Sequence, residues 1–127
     1  MRYCLALDLQ PDPALIAEYE AWHRDVWPEI GESILDSGIT DMQIWRLEDR
    51  LFMIIETAPG FTFENKAAMD AANPAVQRWE QLMWKYQKAI EPLEAVRPKD
   101  RHEISGGRPA EKWRVMQQIF SSNESTS

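Results

Sequence analysis

Residues 39–57, ITDMQIWRLEDRLFMIIET, decide the fold of this chain of 127 residues. Ile39–Leu47 and Leu51–Thr57 are rich in the apolar and β-branched residues that are typical of strands. Between them lies Glu-Asp-Arg at positions 48–50, a length typical of a hairpin turn. The stretch therefore predicts two neighbouring antiparallel strands in the middle of the chain.

The part of the chain before the hairpin predicts one strand followed by helix. Residues 2–9 alternate between apolar and small or polar side chains, which is the period of a strand. A helix is expected from Pro13, a residue that suits a first helical turn, to about Val26. Pro28 disfavours helical geometry just before it, so we expect a kink or a new helix there. Gly38 is a natural end for this second piece.

The part after the hairpin predicts two helices and a final strand. Residues 63–72 fit a short helix, and residues 74–90 fit a longer one with a single apolar face. Residues 91–111 lack a clear period and contain several prolines and glycines, so we expect a long surface loop there. Residues 112–120 predict the last strand. Residues 121–127 are a polar tail.

The predicted order of elements is β-α-β-β-α-β within a single domain, residues 1–120. This order is the split βαβ arrangement of ferredoxin-like folds in the α+β class. It gives a mainly antiparallel sheet with its helices on one face. Because a second copy often covers the other face of such small sheets, we expect a homodimer of the α/β-barrel kind.

Composition narrows the class of partner. The chain carries a formal net charge of −7 and lacks a basic stripe, which argues against binding to nucleic acid or to an anionic membrane. Cys4 is the single cysteine, so an internal disulfide is excluded. The sequence shows neither a signal-peptide layout nor an apolar stretch long enough to cross a bilayer, and the cytoplasm is the expected location. A small neutral molecule is the expected ligand.

Tyr19 and His23 are the most informative pair of side chains. They lie four residues apart in the first predicted helix, which places both on one helical face. Apolar residues share this face: Leu15, Ile16, Trp22, Val26 and Ile30. A histidine in the middle of an apolar face indicates a proton-transfer group beside a pocket.

The remaining chemistry-bearing residues favour acid–base catalysis without a metal or a cofactor. The chain has no Gly-rich phosphate loop, and its two histidines, His23 and His102, are far apart. Trp79 is expected to face inward with Glu80 at its flank, and Trp27 and Trp45 are expected to add flat walls. Aromatic faces with a histidine, a tyrosine and a carboxylate are typical of a sugar site.

The same residues also fit a purely structural account. A histidine on an apolar helix face is more often a hydrogen-bonded core residue than a catalyst. Trp79 taken alone fits the core, and Glu80 taken alone fits a solvated helix position.

A family resemblance favours the functional account. The segment Tyr19-x-x-x-His23-x-x-x-Trp27-Pro28-Glu29 resembles the signature of the L-rhamnose mutarotase family. Further segments resemble the same family, namely residues 41–45, 51–53, 77–83 and 111–113. The resemblance implies a dimeric ferredoxin-like fold that interconverts the α and β anomers of a 6-deoxy-hexose without metal or cofactor. It implies that His23 is the proton donor and that Tyr19 and Trp79 contact the substrate.

Two positions depart from the pattern of the rhamnose enzymes. Met42 stands where that family tends to have a tyrosine, and Glu80 stands where it tends to have a second tryptophan. Family members with Trp-Glu in this helix are associated with L-fucose. The resemblance therefore fixes the reaction type and leaves L-rhamnose and L-fucose both open as substrates.

The expected mechanism is ring opening by general acid–base catalysis. His23 protonates the ring oxygen, Tyr19 orients the sugar, and Glu80 or a water that it holds takes the anomeric proton. Two other functions remain open from the sequence. One is a cofactor-free monooxygenase of the dimeric α/β-barrel kind, which would consume oxygen with quinol-like compounds. The other is a non-catalytic module that binds a sugar without changing its anomer ratio.

Overall fold

A computed structural model describes residues 1–90 and 113–122, and the predicted α+β class is confirmed. Both predicted helical regions contain two helices, divided at Pro28 and Pro74. The elements in chain order are β1 (Arg2–Leu9), α1 (Pro13–His23), α2 (Pro28–Asp36), β2 (Ile39–Leu47), β3 (Arg50–Thr57), α3 (Phe63–Ala72), α4 (Pro74–Trp84), β4 (Gln87–Lys88) and β5 (Arg114–Val115).

The sheet has the strand order β2-β3-β1-β4, and β5 also pairs with β1. All of these pairings are antiparallel. The central hairpin joins β2 to β3 through Glu48 and Asp49, with Glu48 at a φ of 53°. The antiparallel sheet and the strand order are those of the predicted ferredoxin-like arrangement.

Local side-chain chemistry explains where the helices begin. The Asp12 carboxylate accepts hydrogen bonds from the backbone N–H groups of Ala14 and Leu15 at the start of α1. The Asn73 side chain does the same for Ala75 at the start of α4. After α2, Gly38 takes a φ of +100°, which is strained for residues with a Cβ. The stop agrees with the sequence prediction, and each cap directly precedes a predicted helix start.

The two faces of the sheet differ in what covers them. The helices pack against the face that carries the alternate residues Leu5, Leu7 and Leu9 of β1, and Leu7 and Leu9 are fully buried. The opposite face, called here the open face, carries Trp45 and Leu47 of β2, which are 60% and 68% exposed. The structure thus places all four helices on one side of the sheet.

Two hydrophobic clusters lie under the helices. One consists of buried residues of β1, β3, α1, α2, α4 and the segment after α4: Leu9, Leu51, Tyr19, Ile30, Val76, Trp79, Met83 and Tyr86. The other, called here the far cluster, is built on Leu5, Ile39 and Ile55 and includes the half-buried residues Tyr3, Met42, Met53, Phe61 and Phe63. Ile34 and Trp113 pack against both clusters and connect them.

Helix α1 is shorter than predicted. It ends at His23 and not near Val26, because the chain needs the next residues to reach Trp27, which is extended before Pro28. The backbone N–H of Arg24 closes the helix by bonding to the carbonyl groups of Ala21 and Trp22. His23 is therefore the last residue of α1.

The predicted end of α4 near Ile90 is also wrong. The helix ends at Trp84, and Gln87 and Lys88 form β4 along the edge of β1, opposite Leu9 and Asp8. The edge of β1 offers unpaired backbone groups, and pairing with them outweighs two further helical turns. This contact is made between distant parts of the chain, so the sequence pattern could not predict it.

The last strand is reduced to two residues, Arg114–Val115, which pair with Ala6 and Leu5. It shares the edge of β1 with β4, so neither is long. The predicted loop at 91–111 lies outside the described residues, as does most of the tail at 121–127. Among the residues that the structure describes, no helix has the length and apolar character needed to cross a membrane.

Candidate active site

His23 is half-buried at the end of α1, and one of its ring nitrogens is already bonded. Nδ1 lies 2.8 Å from the backbone carbonyl oxygen of Tyr19, one helical turn earlier. A carbonyl oxygen only accepts, so Nδ1 carries the hydrogen. In the neutral imidazole, Nε2 then has a free lone pair. The side chain is thus fixed in the tautomer that presents a proton acceptor.

Burial lowers the pKa of His23 below its ordinary value of 6.5, because the charged ring is poorly solvated there. The carbonyl of Tyr19 opposes this effect and raises the pKa, but it is the smaller influence. The imidazole is therefore neutral at neutral pH. It can accept a proton and hand it on, which is what a general acid–base catalyst must do.

Tyr19 lies against His23 and is almost fully buried, with 3% of its surface exposed. The two rings have their centroids 4.4 Å apart. Burial raises the pKa of Tyr19 to about 12, and a hydrogen bond with the Gln87 side chain lowers it by less. The phenol therefore stays protonated at neutral pH. Its hydroxyl is paired with an amide from β4.

Three tryptophans pack against one another, and one of them, Trp79, meets the ring of His23. The ring centroid of Trp79 is 5.6 Å from that of His23 and 5.1 Å from that of Trp27. Trp22 meets both of these indoles edge to face at 6.4 Å. We call Tyr19, Trp22, His23, Trp27 and Trp79 the site cluster. The structure thus brings together four of the residues predicted for the site, namely Tyr19, His23, Trp27 and Trp79.

The other three predicted residues, Met42, Glu80 and Trp45, lie outside this cluster. Met42, on β2, packs in the far cluster and not among the rings of the site cluster. Glu80 is half-buried and directly follows Trp79 in α4. Trp45, expected as a flat wall, is on the open face, where its Nε1 donates to Gln43. That expectation is wrong, because the sheet separates Trp45 from His23.

A group of hydrogen-bonded residues beside the site cluster was not predicted. The Tyr86 hydroxyl accepts from Trp22 Nε1 at 3.1 Å and donates to Glu18 Oε1 at 3.0 Å. Gln87 pairs with the hydroxyl of Tyr19. These contacts join α1 to the chain after α4. Their partners are far apart in the sequence, so helical spacing could not predict them.

Two other kinds of site, a metal centre and a surface groove, bear on where the function lies in the described residues. In residues 1–90 and 113–122 no three His, Cys, Asp or Glu side chains are grouped to hold a metal ion. A groove of about 600 Å³ lies between the first turns of α1 and the β2–β3 turn, and it includes the Glu20–Arg46 ion pair. None of the predicted site residues lines this groove.

Comparison with known proteins points to one family. The family model described as L-rhamnose mutarotase matches residues 2–122. An L-fucose mutarotase of Xanthomonas campestris pv. campestris is 41% identical over 128 residues, spanning 99% of this chain and 91% of that protein. An L-rhamnose mutarotase of Acidiphilium cryptum is 39% identical over 83 residues, spanning 62% of this chain and 74% of that protein.

A solved structure supports the fold. The crystal structure of an L-rhamnose mutarotase from Formosa agariphila superposes with a TM-score of 0.63 at 15% sequence identity. The match covers 95% of this chain and 97% of that one.

Proposed function

The chain belongs to the L-rhamnose mutarotase family, and we propose that it is an isomerase that interconverts the α and β anomers of a 6-deoxy-hexose. We name L-fucose as the first candidate substrate and L-rhamnose as the second. The L-fucose mutarotase aligns with nearly the whole chain, whereas the L-rhamnose mutarotase of Acidiphilium cryptum aligns with 62% of it.

One observation carries the proposal for the mechanism. A half-buried imidazole has Nδ1 bonded to the Tyr19 carbonyl and a lowered pKa, so Nε2 is a neutral proton acceptor. The ring of this imidazole lies 5.6 Å from that of Trp79, which in turn meets Trp27 at 5.1 Å. The two indoles are the kind of aromatic surface that packs on the C–H face of a pyranose. The arrangement suits proton transfer to and from a bound sugar.

The proposed reaction uses Nε2 twice. It takes the proton of the anomeric hydroxyl, the C1–O1 bond becomes a carbonyl, and the bond between C1 and the ring oxygen breaks. The imidazolium then gives its proton to the ring oxygen, which completes the open aldehyde. Rotation about C1–C2 presents the other face of the carbonyl, and the same steps in reverse close the ring. In the closed sugar the anomeric hydroxyl oxygen and the ring oxygen are both bonded to C1, so a single nitrogen can reach both.

This order differs from the mechanism expected from the sequence, in which His23 acts first as an acid. A neutral imidazole that is hydrogen-bonded through Nδ1 has its lone pair at Nε2, so the base step comes first. We propose that Tyr19 orients the histidine and the sugar through its protonated phenol. Glu80 is proposed to contact a sugar hydroxyl and so to influence which sugar is preferred. A contact of Met42 with the sugar stays a prediction from the sequence, and Met42 packs in the far cluster.

NMR saturation transfer on equilibrated L-fucose and L-rhamnose tests the proposed function. One anomeric proton is saturated, and the loss of signal from the other anomer gives the exchange rate with and without protein. We expect protein-dependent exchange with at least one of the two sugars. Exchange at the background rate for both would contradict the proposal, and sugar binding without exchange would identify a binding module.

A homodimer is proposed for the open face. Trp45 is 60% exposed there, and its neighbours Phe52 and Ile54 on β3 are half-buried, so the sheet presents an apolar surface. Trp45→Glu is expected to lower the mass seen by analytical ultracentrifugation from dimer to monomer. Leu35→Glu, at a residue of α2 that is 66% exposed, is the matched control. A monomeric wild-type protein would refute the dimer.

The cytoplasmic location expected from the sequence stays a prediction, which fractionation of the source cell tests.

A further inference from the structure

The hydroxyl of Tyr86 ties two residues of α1 that lie one helical turn apart. It accepts a hydrogen bond from Trp22 Nε1 at 3.1 Å and donates one to Glu18 Oε1 at 3.0 Å. Glu18 and Trp22 are spaced four residues apart, so both bonds act on the same side of the helix. Tyr86 itself is 2% exposed, and its ring meets that of Tyr19 at 6.0 Å.

The backbone around Tyr86 is also fixed. Its carbonyl oxygen accepts from the N–H of Gln10, and the next carbonyl, of Gln87, accepts from the Gln10 side chain. β4 begins at this point and pairs with β1. The phenol is therefore anchored to the sheet, whereas its partners Glu18 and Trp22 belong to the helix that carries the histidine.

The end of α1 is where such an anchor matters. His23 is the last helical residue, and the final turn of a helix lacks part of its hydrogen-bond ladder and frays. Trp22 directly precedes His23 and meets the rings of Trp27 and Trp79 at 6.4 Å. A bond to the indole nitrogen of Trp22 thus acts on the last turn and on the aromatic wall together.

We propose that Tyr86 is a positioning residue for the sugar isomerisation: its hydroxyl, held between Trp22 and Glu18, fixes the final turn of α1 and with it Nε2 of His23. The inference rests on the proposed function. Tyr86 does not touch the reacting atoms. It acts through Trp22 on a catalyst whose placement within a fraction of an ångström determines the rate.

Tyr86→Phe tests this inference, because it keeps the ring and removes both hydrogen bonds. We expect the anomer-exchange rate at saturating sugar to fall about tenfold, since small misplacement of a catalytic group is costly. The KM is expected to change less than about twofold, because the variant retains Trp27 and Trp79, the rings proposed to pack on the sugar. Glu18→Gln retains an acceptor for the Tyr86 hydroxyl and is expected to keep the wild-type rate.

Tyr3→Phe is the matched control, because the Tyr3 hydroxyl bonds to the Met1 sulfur at the surface and its ring packs in the far cluster. It should leave the rate unchanged. Trp22→Phe removes the donor of the bond between Trp22 Nε1 and the Tyr86 hydroxyl, whereas Tyr86→Phe removes its acceptor. The double variant Trp22→Phe/Tyr86→Phe should therefore be no slower than the slower single variant.

A wild-type rate for Tyr86→Phe would overturn the inference, as would rate losses that add fully in the double variant. If Tyr86→Phe does not fold, the pair Trp22→Phe and Glu18→Leu makes the same test through non-additivity. The two proposals fail differently. If wild-type protein exchanges no anomers, the proposed function falls and this inference with it. If wild-type protein is active and Tyr86→Phe is equally active, only this inference falls.

Discussion

The site cluster and the far cluster lie on the same face of one sheet but differ in chemistry. The far cluster packs Tyr3, Phe61 and Phe63 edge to face or tilted at 4.9 to 6.2 Å, on a base of aliphatic residues. The site cluster has similar ring packing, yet it holds an imidazole and a phenol whose pKa values are shifted by burial. Aromatic packing is thus common to both clusters, and the titratable groups whose pKa values are shifted by burial mark the candidate site.

The surroundings of the site cluster are also marked by hydrogen bonds between side chains. Around the site cluster, buried polar atoms are paired between elements that are distant in sequence, as Tyr86 is with Glu18 and Trp22. Such bonds fix orientation more sharply than apolar contacts do, since they are directional. We therefore expect substitutions in the site cluster to lower the rate of anomer exchange, and substitutions in the far cluster to lower stability.

The largest effect is expected for His23→Gln, which keeps a polar side chain but removes the proton carrier. The exchange rate should fall by about 10²- to 10⁴-fold, the usual contribution of a general acid–base group. Saturation transfer on the preferred sugar measures the rate, and circular dichroism confirms the fold. A variant that retains more than about a tenth of the wild-type rate would remove His23 from the mechanism.

Ile55→Ala is expected to lower stability through the far cluster without lowering the rate of anomer exchange. Ile55 is 1% exposed in the far cluster, and truncation of a buried isoleucine costs about 2–5 kcal/mol of unfolding free energy. Urea denaturation measures this loss. The exchange rate per folded molecule should stay that of the wild type. A rate loss similar to that of His23→Gln would show that the two clusters are not functionally separate.

Tyr19→Phe is expected to have a smaller effect on the rate. The ring against His23 is retained, but the hydroxyl that pairs with Gln87 is lost. We expect the exchange rate to fall about tenfold, which corresponds to about 1.4 kcal/mol, the scale of one hydrogen bond. The saturation-transfer assay measures this, with Tyr3→Phe in parallel. An equal loss in both variants would contradict a specific role for the Tyr19 hydroxyl.

The smallest expected effect is on stability as a function of pH. The pKa of His23 is lower in the folded protein than its ordinary 6.5, so the unfolded chain binds more protons between these two values. His23 therefore costs stability as the pH falls through 6.5, and the cost levels off below the folded-state pKa. Thermal unfolding of wild type and His23→Gln should differ in acid sensitivity in this direction. Parallel curves for the two proteins would contradict the lowered pKa.

The sequence predicted features that depend on local chemistry. The Ile39–Thr57 hairpin, the helix starts at Pro13 and Pro74 and the stop at Gly38 follow from residue types that act on their own neighbours. The pairing of Tyr19 with His23 followed from helical spacing in the same way.

Features that depend on tertiary contacts were not predictable from the sequence. α4 ends early because the edge of β1 is available for Gln87 and Lys88, and the Tyr86–Glu18 bond joins residues 68 positions apart. The error over Trp45 has a different origin. Strand residues alternate between faces, so Met42 and Trp45, three positions apart, lie on opposite sides of the sheet.

The pH dependence of anomer exchange tests whether His23 acts as the base, because a base must present a neutral imidazole with an unprotonated Nε2. Rates are measured from about pH 5 to about pH 8, a range that spans the titration of histidine, and are corrected for exchange without protein. We expect the exchange rate to be constant near neutral pH and to fall in acid, with a midpoint below 6.5 that matches the NMR titration of His23. A rate that rises as the pH falls, or a midpoint above 6.5, would contradict this role of His23.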